Sequence, residues 1–164
     1  MSPEAVLAAM LALGGYQPDA GMPIEERVTL YRPTVAAIVA AARTDEEAAA
    51  LVALGWHESR FARYVLEDRC QDGPKGARCD EGRARGPWQV WGRWCRAVDR
   101  ASEARCALAT LRLGKQRCAS WEGGFAALAG HPSCEWPGAR KRVQTMRRVL
   151  AELPRVRGRG NEGQ

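Results

Sequence analysis

The run Thr44-Asp45-Glu46-Glu47 constrains this chain more than any other segment. A threonine followed three residues later by glutamate, ahead of an apolar stretch, is a capping box. The hydroxyl accepts from the backbone of the third residue, and that residue's carboxylate returns a bond. It commits Asp45 onward to a helix, which the apolar spacing carries to about Arg60. Further helical patterns cover Ser2–Leu13, Trp88–Val98, Ser102–Cys118, Trp121–Ala129 and Gly138–Leu150. Another ends at Arg43 and starts at Ile24 or Pro33, because proline can open a helix in its first turn. No long β-branched alternating run appears. Gly73, Pro74, Gly76 and Gly82 make Arg69–Gly86 a long loop, with room for a small β-hairpin inside 65–86. The expected class is mainly α. An N-terminal helix and loop (1–23) precede one helical domain (24–153), and a basic tail (154–164), too rich in Arg and Gly to pack, follows.

Six cysteines, Cys70, Cys79, Cys95, Cys106, Cys118 and Cys134, include no CxxC pair, and the two histidines, His57 and His131, lack zinc-site spacing. No metal and no cofactor is expected. An even cysteine number without metal spacing favours disulfides and an oxidising compartment. Proximity suggests Cys70–Cys79, Cys95–Cys106 and Cys118–Cys134. No apolar stretch is long enough to span a membrane. The apolar run Ala5–Leu13 lacks a basic flank and reads as a first helix rather than a signal peptide, so no export signal is visible. The formal charge of +6 belongs to 136–164, which hold eight basic and two acidic residues. That segment could meet nucleic acid or acidic wall polymers, but solvation is the default for such a face.

Glu58 is the candidate for chemistry. On a helix, Leu51, Leu54 and Gly55 lie within about 60° of it. Trp56 and Phe61 flank it in sequence. A carboxyl group among apolar neighbours loses solvation, which favours its neutral form, and a retained proton is what glycosidic cleavage needs. A solvated glutamate at a helix end is the plainer alternative.

The segment His57-Glu58-Ser59-Arg60-Phe61 is followed by Gly82-Arg83-Ala84-Arg85-Gly86-Pro87-Trp88-Gln89-Val90. Together they resemble the signature of soluble lytic transglycosylases and goose-type lysozymes. There a helix ends in Glu-Ser-x-Phe, with the glutamate catalytic, and a Gly-rich turn leads into Gly-Leu-Met-Gln-hydrophobic along the substrate cleft. Glu58, Ser59 and Phe61 match the first motif; Gly86, Gln89 and Val90 match the second. The resemblance extends weakly over residues 35–150. It implies a single lysozyme-like, disulfide-stapled helical domain acting on peptidoglycan at the β-1,4 bond between N-acetylmuramic acid and N-acetylglucosamine. Three features depart from the pattern. Gln89 stands 31 residues after Glu58, which is longer than usual in the family. Pro87-Trp88 replaces Leu-Met. No tyrosine lies near Phe125–Gly130, where His131 or Trp136 would have to stand in.

The expected site is therefore Glu58 as catalytic acid/base, with Ser59, Trp88, Gln89 and His131 on substrate. Trp88, Trp91 and Trp94 recur every third residue; Trp88 is assigned to the cleft and the other two to the interior. His131, before Pro132, reads equally as a turn residue. His57 points about 100° from Glu58 on a helix and is not assigned to catalysis. Asp68, Asp72, Asp80 and Glu81 are loop acids, any of which could position a water. Lytic transglycosylase is preferred to muramidase because no partner carboxylate is evident. The rivals are an inactive wall-binding or virion-associated module and a basic nucleic-acid-binding helical protein; the last leaves the cysteines unexplained. The expected protein is a monomer acting outside the cytoplasm, in the periplasm, secreted, or in a phage virion or lysate.

Overall fold

Helix α3 (Asp45–Ser59) is surrounded by the rest of the molecule: every residue from Ala48 to Gly55 is buried. Small side chains make that possible, because a helix of alanines with a few leucines lets neighbours approach on all sides. In this computed structural model, which describes residues 1–70, 83–91 and 95–159, the other elements follow from that centre. Helices α1 (Pro3–Ala12) and α2 (Ile24–Ala41) come before it, α4 (Arg63–Leu66) directly after, then strands β1 (Ala84–Arg85) and β2 (Val90–Trp91), and finally α5 (Arg100–Cys118), α6 (Trp121–Leu128) and α7 (Pro137–Arg159). A single 3₁₀ turn, Gln17–Asp19, lies between α1 and α2. The protein is a mainly α, disulfide-stapled domain, with one small hairpin among the described residues. One apolar core takes residues from α1, α2, α3, α5, α6 and α7.

The capping box forms with a variation. Thr44 Oγ1 accepts from Glu47 N at 3.2 Å, but Glu47 Oε2 accepts from Arg43 N at 2.7 Å, one residue earlier than the motif prescribes. The same carboxylate also receives Arg112 at 2.7 and 2.8 Å, so it joins the start of α3 to α5. Helix α2 starts at Ile24 and keeps Pro33 inside it, which settles its two expected starts. Helix α5 begins two residues before the expected Ser102, because Asp99 is the cap: its side chain accepts from Ser102 N, and Ser102 Oγ accepts from Asp99 N.

Two disulfides close the C-terminal half as proximity suggested. Cys95–Cys106 ties the segment after the hairpin to α5, and Cys118–Cys134 ties the end of α5 to the loop after α6. Cys70 is disulfide-bonded as well, while Cys79 lies outside the described residues.

Two expectations are corrected. The described residues of Trp88–Val98 are not helical: β1 and β2 pair antiparallel, Ala84 with Trp91 and Arg85 with Val90, around a four-residue turn. Gly86 opens that turn at φ 61°, Pro87 follows, and Gln89 N donates to Gly86 O at 3.1 Å. The hairpin therefore sits at 84–91, reaching past the 65–86 window. The tail does not begin at Pro154, since α7 continues to Arg159. Its buried Ala139, Val143, Met146 and Val149 anchor the helix, and each added residue of an existing helix costs little. Among the described residues no helix is long and apolar enough to cross a membrane.

A candidate active site around Glu58

The end of α3 is built by Ser59, Phe61 and Gly55. Ser59 is fully buried; its Oγ donates to Gly55 O at 2.9 Å and accepts from Phe61 N at 3.2 Å. Arg60 and Phe61 both take left-handed backbone angles, φ 55° and 52°, which are uncommon for non-glycine residues. Burial of the Phe61 ring, 5.6 Å from that of Tyr31, and stacking of the Arg60 guanidinium 3.5 Å over Trp56 offset that cost. The ring of Phe61 lies on Gly55, where a Cβ would come within 2.6 Å of it. Trp88 lies beside it, 3.5 Å from the same point, and its Nε1 donates to Leu51 O at 2.9 Å.

These contacts correct two assignments. Ser59 is not available to substrate, because it is enclosed and both its bonding capacities are used on the helix end. Trp88 does not face a cleft; it is fully buried, since the turn after Gly86 drives its indole into α3. Gln89, at φ 49°, is partly buried and donates from Nε2 to Gly86 O at 2.9 Å, so its amide N–H braces the turn. The side chain of Trp91 is not described, and Trp94 lies outside the described residues.

Glu58 keeps 24% of its side chain exposed and forms an ion pair with Arg142 of α7, whose side chain is 14% exposed. The apolar enclosure expected for Glu58 is thus only partial: a cation, not a hydrocarbon wall, meets the carboxylate. Arg142 Nη1 donates to Gly138 O at 3.2 Å, and its Cζ lies 4.9 Å from the Trp136 ring. His131 stacks on the other partner of this group, with ring centroids 5.9 Å apart and planes 20° from parallel to Trp136. His131 Nδ1 also accepts from Ser133 N at 3.3 Å, so it braces its own turn. His57 points instead to Thr145, 2.9 Å away. Burial first, then the nearby Arg142 and Arg60 charges, push its imidazole down to about 4.

A second charged group lies behind the hairpin. Glu103 of α5 pairs with Arg100 at 2.9 Å, and Arg100 also reaches Asp68 at 3.1 Å and Leu66 O at 2.9 Å. Burial pushes the Glu103 carboxyl above the ordinary range, against the pull of Arg100. Its carboxylate packs where Gly86 has no Cβ. A cavity of about 400 Å³ opens there, lined among others by Asp68, Arg85, Asp99 and Arg100. Asp72, Asp80 and Glu81 lie outside the described residues.

Arg142 and Glu103 were not singled out from the sequence, although each carries a readable signal. Arg142 shares a helical face with Ala139, Met146 and Val149, and Glu103 with Ala107 and Leu111, so each is a charge set into a buried stripe. Among the described residues no three His, Cys, Asp or Glu side chains converge as metal ligands would. Comparison with protein-family models, with curated proteins and with solved structures finds no match to this chain.

Proposed function

We propose that the chain cleaves peptidoglycan glycan strands at the bond between N-acetylmuramic acid and N-acetylglucosamine, with Glu58 as general acid/base. One observation carries the reading. Glu-Ser-x-Phe and the Gly86–Val90 turn are far apart in sequence yet meet on one residue, since Phe61 and Trp88 both lie against Gly55. The buried members, Ser59, Phe61 and Trp88, build the corner, and Glu58 is the member left with a reactive, partly exposed group. Glu58 protonates the leaving oxygen as the glycosidic bond breaks. The muramoyl C6 hydroxyl then attacks C1, and the Glu58 carboxylate takes its proton, leaving an anhydro end.

Among the described residues, the commitment of both Asp68 and Glu103 to Arg100 favours the transglycosylase version over hydrolysis. The disulfides fit an oxidising, extracytoplasmic setting. The Glu58–Arg142 ion pair favours one second reading, a wall-binding module that no longer cleaves. Mass spectrometry of purified cell walls after incubation with the protein separates the versions. Anhydro-muramoyl ends support the transglycosylase, and fragments heavier by one water support the hydrolase. Walls that bind the protein but release no fragment support the binding module.

A further inference from the structure

We propose that Arg142 is the receptor for a carboxylate carried by the glycan strand, and that seating this carboxylate draws Arg142 away from Glu58. The inference rests on the reading of Glu58 given above. It begins with how the guanidinium is held. Nη1 donates to Gly138 O at 3.2 Å, and Cζ lies 4.9 Å from the Trp136 ring, so Arg142 has partners besides Glu58. Gly138 permits this, because a Cβ there would lie 2.4 Å from Trp136 ring atoms.

The remaining edge consists of Nε and Nη2. Their N–H bonds run parallel and match the two oxygens of a single carboxylate. Only Nη2 is engaged, by one oxygen of Glu58, while Nε is buried without a hydrogen-bond partner among the described residues. A buried donor left unmade is costly, and a ligand that completes the pair recovers that cost. An incoming carboxylate that takes both N–H groups therefore has an advantage over the one-point contact with Glu58. Accepting from Nη2, Glu58 is turned toward Arg142; once that bond is lost, the same oxygen can turn to a glycosidic oxygen. Recognition of the strand and readiness of the acid become one event.

The ligand chemistry follows from what such a strand carries. Muramic acid bears a lactyl group that ends in a carboxylate when no stem peptide is attached and in an amide when one is. Stem peptides carry carboxylates of their own. The shared group is a carboxylate close to the scissile bond, and the two sources are separable by synthesis.

Binding is measured by calorimetry in the Glu58→Gln background, which holds ligand without cutting it. Four muramyl oligosaccharides serve as probes: free lactyl carboxylate, lactyl amide, stem peptide with free carboxylates, and the same stem with its carboxylates amidated. The expected result is at least about tenfold tighter binding of one carboxylate form over its amidated counterpart, as two-point pairing with guanidinium implies, and which pair differs identifies the source. Adding Arg142→Gln should equalise the probes, and Arg142→Lys, which keeps the cation but not the parallel edge, should retain only a small part of the preference. Equal binding of all four probes by Glu58→Gln overturns the role of Arg142 while leaving glycan recognition standing. Failure of every probe to bind overturns both readings.

Discussion

Gly55 is where the corner beneath the candidate site is decided. Two buried rings occupy the space a side chain would need, with Phe61 Cε1 2.6 Å from a Cβ built there. Gly55→Ala should lower unfolding stability by about 1–3 kcal/mol, the usual cost of overpacking an enclosed position. A urea titration checks this, and an unchanged midpoint would show that Phe61 and Trp88 give way freely. His57 makes a second residue-scale prediction. Its imidazole titrates at 6.5 when exposed and at about 4 in the fold. Between those values the unfolded chain binds the extra proton, so the stability that neutral His57 supplies is complete above about pH 6.5 and drains away as pH falls toward 4. The stability gap between the parent and His57→Gln should therefore narrow across that window, measured by thermal melts at stepped pH. A constant gap would mean that the ring is better solvated than its packing beside Trp56 and Arg142 implies.

At the scale of elements, the disulfide Cys118–Cys134 spans 16 residues and holds the loop that presents His131 and Trp136. Replacing both cysteines with serine should cost about 2–4 kcal/mol, seen as an earlier denaturant midpoint. No loss would show that α5, α6 and α7 hold the loop unaided. How legible each element was depends on whether its signal is local. Helix α3 was readable to within one residue of Ser59, because its cap and its apolar run are neighbours in sequence. Helix α5 was read two residues short because the cap is Asp99, with Ser102 as its reciprocal partner. The hairpin from Trp88 on was misread as helix because tryptophans at every third position imitate helical spacing. What decides otherwise is pairing across the turn and a bond from Trp88 to Leu51, and neither is visible in a window of neighbours. Glu58 was picked out as a candidate through its motif. Arg142 was not, since its meaning depends on α7 returning to the end of α3, a contact 84 residues distant.

Across the whole molecule, α1 joins the same core as α2, α3 and α7, with Ala5, Val6, Ala9 and Met10 all buried. Trp56 Nε1 adds a link from α3 to the chain after α1, donating to Leu13 O and Gly14 O at 3.1 and 3.2 Å. One shared core predicts one cooperative transition. Helical circular dichroism and tryptophan fluorescence should follow the same denaturation curve, and an early helical loss without a fluorescence change would mark α1 as a separate unit. The same architecture holds Glu58 at a helix end and leaves its carboxylate partly exposed beside Arg142. The central claim is that this carboxylate moves the proton in glycan cleavage. The measurement that tests it most directly is the rate at which Glu58→Gln releases soluble fragments from purified peptidoglycan, beside the parent protein and with folding checked by circular dichroism. The account predicts a folded variant slower by a factor on the order of 10² or more, since general acid–base catalysis supplies roughly 10²–10⁴. Release as fast as the parent's by the folded variant would contradict it.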